Sequence, residues 1–186
     1  MILLVGLGNP TPDSKDNRHN IGFKIIDAIN QKFSLSKQKP KFKGLLTTGN
    51  ILNKKVYAIK PLTFMNNSGI CIRELIEYFK IGVEDIIVFH DDLDVDFGKI
   101  KAKFGGSSAG HNGIASIDKF VGKDYSRVRI GIGKPDSKVS ASDHVLNNFN
   151  EEEKQQLDKI TDNIIGSISI LIDKKLELFS STVNNK

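Results

Sequence analysis

The chain has no Trp, a single Cys and only five Pro among 186 residues. One thiol, Cys71, cannot form an internal disulfide, and it falls within a helical pattern where a lone thiol packs rather than reacts. A disulfide-stapled secreted scaffold is excluded, and a reducing cytoplasm is the expected compartment. No apolar stretch approaches the ~18 residues of a membrane span, so no membrane partner is expected. The apolar start, Met1 to Val5, carries no basic leader and runs directly into Gly6, Gly8 and Pro10, which reads as a buried strand rather than a signal peptide. Arginine is scarce as well, with four of the 27 basic residues. The net charge of +5 therefore rests on Lys, mostly solvated, and argues only weakly for nucleic acid.

What the chain does contain is an alternation of strand and helix signals. Ile2 to Leu7 is a continuous apolar run ending near Gly, the mark of a buried parallel strand. Ile21, Ile25, Ile26, Ile29 and Phe33 follow at helical spacing. Ser34 to Lys43 reads as a surface loop, and Leu45 to Ile51 with Val56 to Ile59 as a hairpin turning near Asn53 and Lys54 and ending at Pro61. A helix capped by Asn67 or Ser68 carries Ile72, Leu75, Ile76 and Phe79. Ile86 to Phe89 is a second central strand. Lys99 to Phe104 alternates Lys with apolar residues before a Gly/Ser loop, and a short helix carries Ile114, Ile117, Phe120 and Val121. Val128, Ile130 and Ile132 form a further strand, and Pro135 to Ser142 a polar loop. Asn150 with Glu153 forms a capping box for a last helix carrying Leu157, Ile160, Ile164, Ile168 and Leu171. Thr182 to Lys186 is expected to fray. The pattern predicts one α/β domain over residues 1–186, three-layered, with a twisted, mixed but mostly parallel sheet flanked by helices.

Polar residues collect where strands give way to helices: Asn9 and His19, Asn66, Asp91 and Asn112. In open α/β sheets, ligands gather beyond the carboxyl ends of the strands. His19 begins a helix, whose field disfavours a second ring proton, and a neutral imidazole suits a general base. Asp91, ending a central strand, can orient such a ring and stabilise the imidazolium that forms. The three carboxamides can donate to a developing oxyanion without titrating. The competing reading of each Asn is a turn residue, and of His19 a local cap.

Several motif-like stretches fail. Gly6-Leu7-Gly8 lacks the third glycine of a dinucleotide loop, since Thr11 stands there. Gly105 to Gly110 has phosphate-loop spacing, but His111 and Asn112 replace the required Lys and Ser/Thr. Asp92, Asp94 and Asp96 imitate a calcium loop, yet Phe97 and Lys103 occupy its Gly and Glu positions. Ser108 sits centrally in a Gly-x-Ser-x-Gly pattern, although the preceding strand carries Lys99, Lys101 and Lys103 and is too polar for a nucleophile elbow. Those lysines share a strand face, as do Arg127 and Arg129. They read either as edge protection or as a phosphate-holding patch.

Gly6-Leu7-Gly8-Asn9-Pro10, Arg18-His19-Asn20, Thr63-Phe64-Met65-Asn66 with Ser68-Gly69, His90-Asp91-Asp92-Leu93-Asp94, Gly110-His111-Asn112-Gly113 and Arg127 to Gly133 occur in order. Together they resemble the bacterial peptidyl-tRNA hydrolase family, from Met1 to Phe149. The resemblance implies a monomeric α/β hydrolase that cleaves the ester joining a peptide to the 3′ ribose of tRNA. It implies His19 as catalytic base, Asp91 as its orienting partner, and Asn9, Asn66 and Asn112 on the peptide backbone and oxyanion. Met65 would lie beside the 3′ end, and Lys101, Lys103 and Arg129 would hold tRNA phosphate. No metal or organic cofactor is implied. Thr11, Ser14, Asn17 and Ala109 depart from the family's usual Gly, Tyr, Thr and Gly. A non-enzymatic RNA-binding role and a Ser108 esterase stand as alternatives.

Overall fold

A computed structural model describes all residues, Met1–Lys186. Seven strands form one sheet in the order β2-β3-β4-β1-β5-β7-β6. They are β1 (Ile2–Gly6), β2 (Lys39–Lys41), β3 (Gly44–Ile51), β4 (Lys54–Pro61), β5 (Ile86–Asp92), β6 (Ile100–Phe104) and β7 (Ser126–Gly131). The inner strands β4, β1, β5 and β7 are parallel, and β2, β3 and β6 add antiparallel edges. β1 and β5 are buried along their whole length, which is why both lack alternation in the sequence. The mixed, mostly parallel sheet expected from the sequence is the one observed.

Seven α-helices flank it: α1 (Ile21–Lys32), α2 (Ser68–Phe79), α3 (Asn112–Val121), α4 (Ala141–Leu146), α5 (Glu151–Gly166), α6 (Ile168–Ile172) and α7 (Leu176–Asn184). The apolar stripes of α1, α5, α6 and α7 close one core with Leu4, Phe89 and Val128 of the sheet. Those of α2 and α3 close the other with Leu3, Val5 and Val88. Successive side chains of one strand thus feed opposite cores. No helix is long and apolar enough to cross a membrane.

The start of α1 lies backbone-to-backbone on the sheet. A Cβ on Gly22 would stand 2.4 Å from Leu7 N and 2.5 Å from Phe89 O, so only glycine permits this approach. That contact pins α1 three residues after His19, directly over the junction of β1 and β5.

Several expectations need correction. Residues 34–43 are not all loop, because Lys39–Lys41 pair with Gly44–Leu46 as an exposed edge strand, the one sheet position that tolerates Pro40. The hairpin turns at Leu52 and Asn53, both at positive φ, one residue earlier than expected. Neither Asn67 nor Ser68 caps α2; the Ser68 hydroxyl instead donates to Met65 O. The Pro135–Ser142 loop gives way to α4 at Ala141. The capping box of Asn150 and Glu153 is present, but the single last helix is two, α5 and α6, broken at the buried Ser167, and α7 follows a second break at residues 173–175. The tail does not fray. Val183 is buried, and Asn184 donates to Ile100 O (2.8 Å) and accepts from Ile100 N (3.0 Å), sealing the free edge of β6.

Candidate active site

The carboxyl ends of β1, β4 and β5 open into a cleft of about 590 Å³. His19, Asp91, Asn9, Met65, Asn66 and Asn112 all line it, together with Phe64, His111 and the apolar residues Leu93, Val145 and Leu146. Six residues spread over more than 100 positions of sequence are thus brought to one cavity. Lys103 and Arg129 lie outside the cleft, in a neighbouring cavity of about 110 Å³ that shares Asp92, Ser108 and Ala109 with it. Lys101 lines neither and is exposed on β6.

His19 sits on a short 3-10 turn, Arg18–Asn20, that precedes α1. Its Nδ1 lies 2.9 Å from Asp91 Oδ2 and 3.0 Å from Oδ1. Asp91 is almost fully buried, yet its carboxyl is held far below the usual carboxylate range. Burial pushes the other way, but His111, and then His19, each pointing a ring N–H at the carboxylate, outweigh it. An ionised Asp91 can only accept, so His19 Nδ1 carries the hydrogen and Nε2 keeps its lone pair.

His111 is the second donor. Its Nε2 lies 2.9 Å from Asp91 Oδ1, while its Nδ1 caps α3, accepting from Gly113 N (3.1 Å) and Ile114 N (3.3 Å). Two amide hydrogens aimed at Nδ1 place the ring's proton on Nε2. In the sequence, His111 stands out only as the residue that breaks a phosphate-loop pattern and as a member of the Gly110-His111-Asn112-Gly113 motif, with no role of its own. The available signal was a His immediately before a helix start, beside an Asn already singled out.

His19, Asp91 and His111 also have the composition of a two-His, one-carboxylate metal set, with ligand atoms within 4.8 Å of one another. A cation there would need the lone pair of His111 Nε2, forcing the ring proton onto Nδ1 against two amide hydrogens. The geometry suits shared protons, not a metal.

His90, next to Asp91, is buried and donates from Nδ1 to Asp91 O at 2.8 Å, leaving Nε2 without a partner. Burial, reinforced by His111, lowers its pKa to about 3. This ring is a neutral structural element.

The carboxamides are held differently from one another. Asn20 clamps the backbone of Asn9, accepting from Asn9 N and donating to Asn9 O, both at 2.9 Å. The Asn9 side chain accepts from Met65 N at 2.9 Å. Its oxygen is thereby committed, and its NH₂ group is what remains to offer the cleft. Asn66 and Asn112 are exposed, with side chains that make no hydrogen bond within the protein. Gly113 lets α3 approach Met65; a Cβ there would meet Met65 Sδ at 2.5 Å. Phe64, with φ 63° and ψ 158°, holds a conformation side-chain residues rarely adopt, at a cost of roughly 1–3 kcal/mol. Main-chain bonds on both sides retain it, from Leu62 N to Lys43 O and from Asn67 N to Phe64 O.

Arg18 fixes the far wall. Its guanidinium donates to His144 O (3.2 Å) and Asn147 O (3.3 Å) and pairs with Glu153 (3.2 Å), the residue that also closes the α5 capping box. α4, with Val145 and Leu146, is thus tied to the His19 turn.

The two arginines of β7 do not act alike. Arg127 is buried, paired with Asp118 at 3.0 Å and donating to Ser107 O at 2.8 Å, so it braces the Gly105–Gly110 loop from beneath. Arg129 is partly exposed, pairs with Asp92 at 2.7 Å, and lies opposite Lys101 in register. Edge protection alone does not account for the lysines, because Asn184 and the Ser180 hydroxyl already satisfy the outer edge of β6 at Ile100 and Ala102. Ser108 sits on a loop after this half-exposed edge strand, not after the buried strand that a nucleophile elbow requires.

Comparison with known proteins places this geometry. Residues 3–186 match the family model described as peptidyl-tRNA hydrolase. A Pelagibacter ubique peptidyl-tRNA hydrolase is 80% identical over 186 residues, covering 100% of both chains. One from Bartonella henselae is 44% identical over 184 residues, covering 99% of this chain and 95% of the relative. The crystal structure of peptidyl-tRNA hydrolase from Acinetobacter baumannii superposes with a TM-score of 0.92 at 34% identity, covering 99% of this chain and 94% of that one.

Proposed function

The chain belongs to the peptidyl-tRNA hydrolase family, and from that premise we propose that His19 is the general base of its reaction. The protein hydrolyses peptidyl-tRNA, cleaving the ester that joins the peptide to the 3′ ribose and freeing the tRNA. The observation that carries the residue assignment is the His19–Asp91 contact at 2.9 Å inside the shared cleft.

In this reading His19 Nε2 takes a proton from water as the water oxygen attacks the ester carbonyl. Asp91 holds the ring in the required tautomer and stabilises the imidazolium. The NH₂ group of Asn9, with Asn66 and Asn112, binds the peptide backbone and meets the developing oxyanion. The imidazolium then returns its proton to the departing ribose oxygen. Base and oxyanion donors together supply about 6–9 kcal/mol on an ester that is already reactive. Met65 lies beside the 3′ end, and Lys101, Lys103 and Arg129 take tRNA phosphate, neutralising roughly one charge each. One chain supplies every group that this reading uses, which is compatible with a monomer acting in the cytoplasm, where tRNA is recycled.

The deciding experiment is release of peptide from N-acylated aminoacyl-tRNA by wild type and His19→Ala. The variant is expected to keep its fold and lose at least ~10²-fold in kcat. Near-normal turnover by a folded His19→Ala protein would overturn the assignment.

A further inference from the structure

An orienting carboxylate helps a base only up to a point. Holding the imidazolium too tightly would keep the base protonated at neutral pH. We propose that His111 is a positioning residue that divides the charge of Asp91 between two ring N–H donors, so that Asp91 aligns His19 without trapping its imidazolium. This rests on His19 being the base.

The geometry is specific. His111 Nε2–H takes Asp91 Oδ1 at 2.9 Å, and His19 Nδ1–H spans both oxygens at 2.9 and 3.0 Å. The carboxylate plane is thereby fixed from two sides. The direction of the His111 bond is itself fixed, since Nδ1 is anchored on the first amides of α3. The rings of His19 and His111 lie 4.9 Å apart, so removing one donor hands the charge it neutralised to the other.

The other titratable groups near His19 are engaged elsewhere. On β5, Asp92 pairs with Arg129 and His90 donates to the main chain. On its own turn, Asp16 pairs with Lys24 and Arg18 with Glu153 of α5. On α4, His144 donates to Ile132 O and Asp143 is exposed. Asp91 alone bonds the His19 ring, and His111 alone shares it.

His111→Asn separates this role from simple capping. Asn is a good N-cap and keeps the Gly113 and Ile114 bonds, but its side chain is too short to reach Asp91. His111→Ala loses both functions. The proposal expects both variants to lose about 10- to 100-fold in kcat with little change in KM. It also expects the acid limb of kcat/KM to move upward by about half a unit to one unit. A His111→Asn enzyme with wild-type kcat and an unmoved acid limb, beside an impaired His111→Ala, would reduce His111 to a cap and overturn the proposal. Ring NMR of His19 in wild type and His111→Asn, without substrate, must show the same upward displacement of its titration. That measurement involves no turnover, so it fails or succeeds independently of whether His19→Ala abolishes hydrolysis. Should His111→Asn fold poorly, His111→Gln, which places an amide toward Asp91, is expected to recover kcat relative to His111→Ala; no recovery would count against the proposal.

Discussion

Asp91→Asn tests the site through its proton bookkeeping. The carboxylate accepts from two rings, His19 Nδ1–H and His111 Nε2–H. An amide offers one oxygen and one NH₂ group, so one ring must turn acceptor. If NH₂ faces His111, that ring's hydrogen moves to Nδ1, against the Gly113 and Ile114 amides, and the α3 cap is lost at about 1 kcal/mol or more. If NH₂ faces His19, that ring only exchanges tautomers, which is cheaper. The amide oxygen therefore turns to His111, and His19 Nε2 acquires the hydrogen that it should be removing from water. By analogy with triads whose orienting acid becomes an amide, kcat falls about 10⁴-fold, or ~5 kcal/mol, with tRNA affinity unchanged. Single-turnover release of peptide from N-acylated aminoacyl-tRNA measures the loss. The argument carries a sharper consequence: Asp91→Asn/His111→Ala frees the amide to present its oxygen to His19, and is expected to exceed Asp91→Asn in activity although His111→Ala alone is impaired. An Asp91→Asn enzyme within tenfold of wild type would refute the tautomer reasoning. A double variant no better than Asp91→Asn would refute the part assigned to the α3 cap.

Lys103→Ala and Arg129→Ala are each expected to weaken tRNA binding and to flatten its logarithmic salt dependence by roughly one phosphate contact; unchanged slopes in both would remove the patch. Arg129→Ala should also lower stability, measured by urea unfolding, because it leaves the buried Asp92 without its 2.7 Å partner. His90 has a folded pKa lowered to about 3, so between there and the ordinary histidine value near 6.5 the unfolded chain binds the proton and stability declines as pH falls. His90→Asn, which keeps a donor to Asp91 O, is expected to lessen that slope by up to ~1.4 kcal/mol per pH unit, and identical unfolding profiles at pH 4–6.5 would contradict it. Asn184→Ala removes both bonds that seal Ile100 and is expected to cost about 1–3 kcal/mol with activity retained; a loss below ~0.5 kcal/mol would return the tail to a frayed end.

The sheet was legible because burial writes itself into its strands. Ile2 to Leu7 and Ile86 to Phe89 are continuous apolar runs, and no other element explains them in so polar a chain. The capping box at Asn150 and Glu153 was legible for a local reason, since both partners lie within one turn. β2 was not, because Lys39-Pro40-Lys41 has neither apolar faces nor β-branched residues, and exists only by pairing with β3. The α5–α6 break hid because Ile164, Ile168 and Leu171 keep helical spacing across it. The fate of the tail depended on an edge 84 residues distant, which no local pattern reports. Within the site, His19 and Asp91 could be named from their positions, but their contact spans 72 residues of sequence. The split between Arg127 and Arg129 was invisible, since their spacing of two marks a shared face and says nothing of which one is braced by Asp118.

The departures from the family's usual residues cluster where they do least to this machinery. Thr11 and Ser14 satisfy each other through a 2.7 Å hydroxyl pair, while Asn9 is positioned from elsewhere, by Asn20 on its backbone and Met65 on its side chain. Ala109 takes φ 47°, a left-handed conformation that glycine would adopt more easily, and its N–H is received by the Ser107 hydroxyl. The strain falls on the loop before His111. The direction of His111 is set after it, by the amides of Gly113 and Ile114. At Thr11, Ser14 and Ala109 the local hydrogen bonds close within the loop, whereas the Asn9 and His111 side chains are held by other segments. α1 meets β5 at a backbone contact that only Gly22 allows, and α3 lies against the Met65 side chain at Gly113. Substitution in the loops can reshape the cleft wall, but moving the proton-handling atoms requires displacing a helix from the sheet.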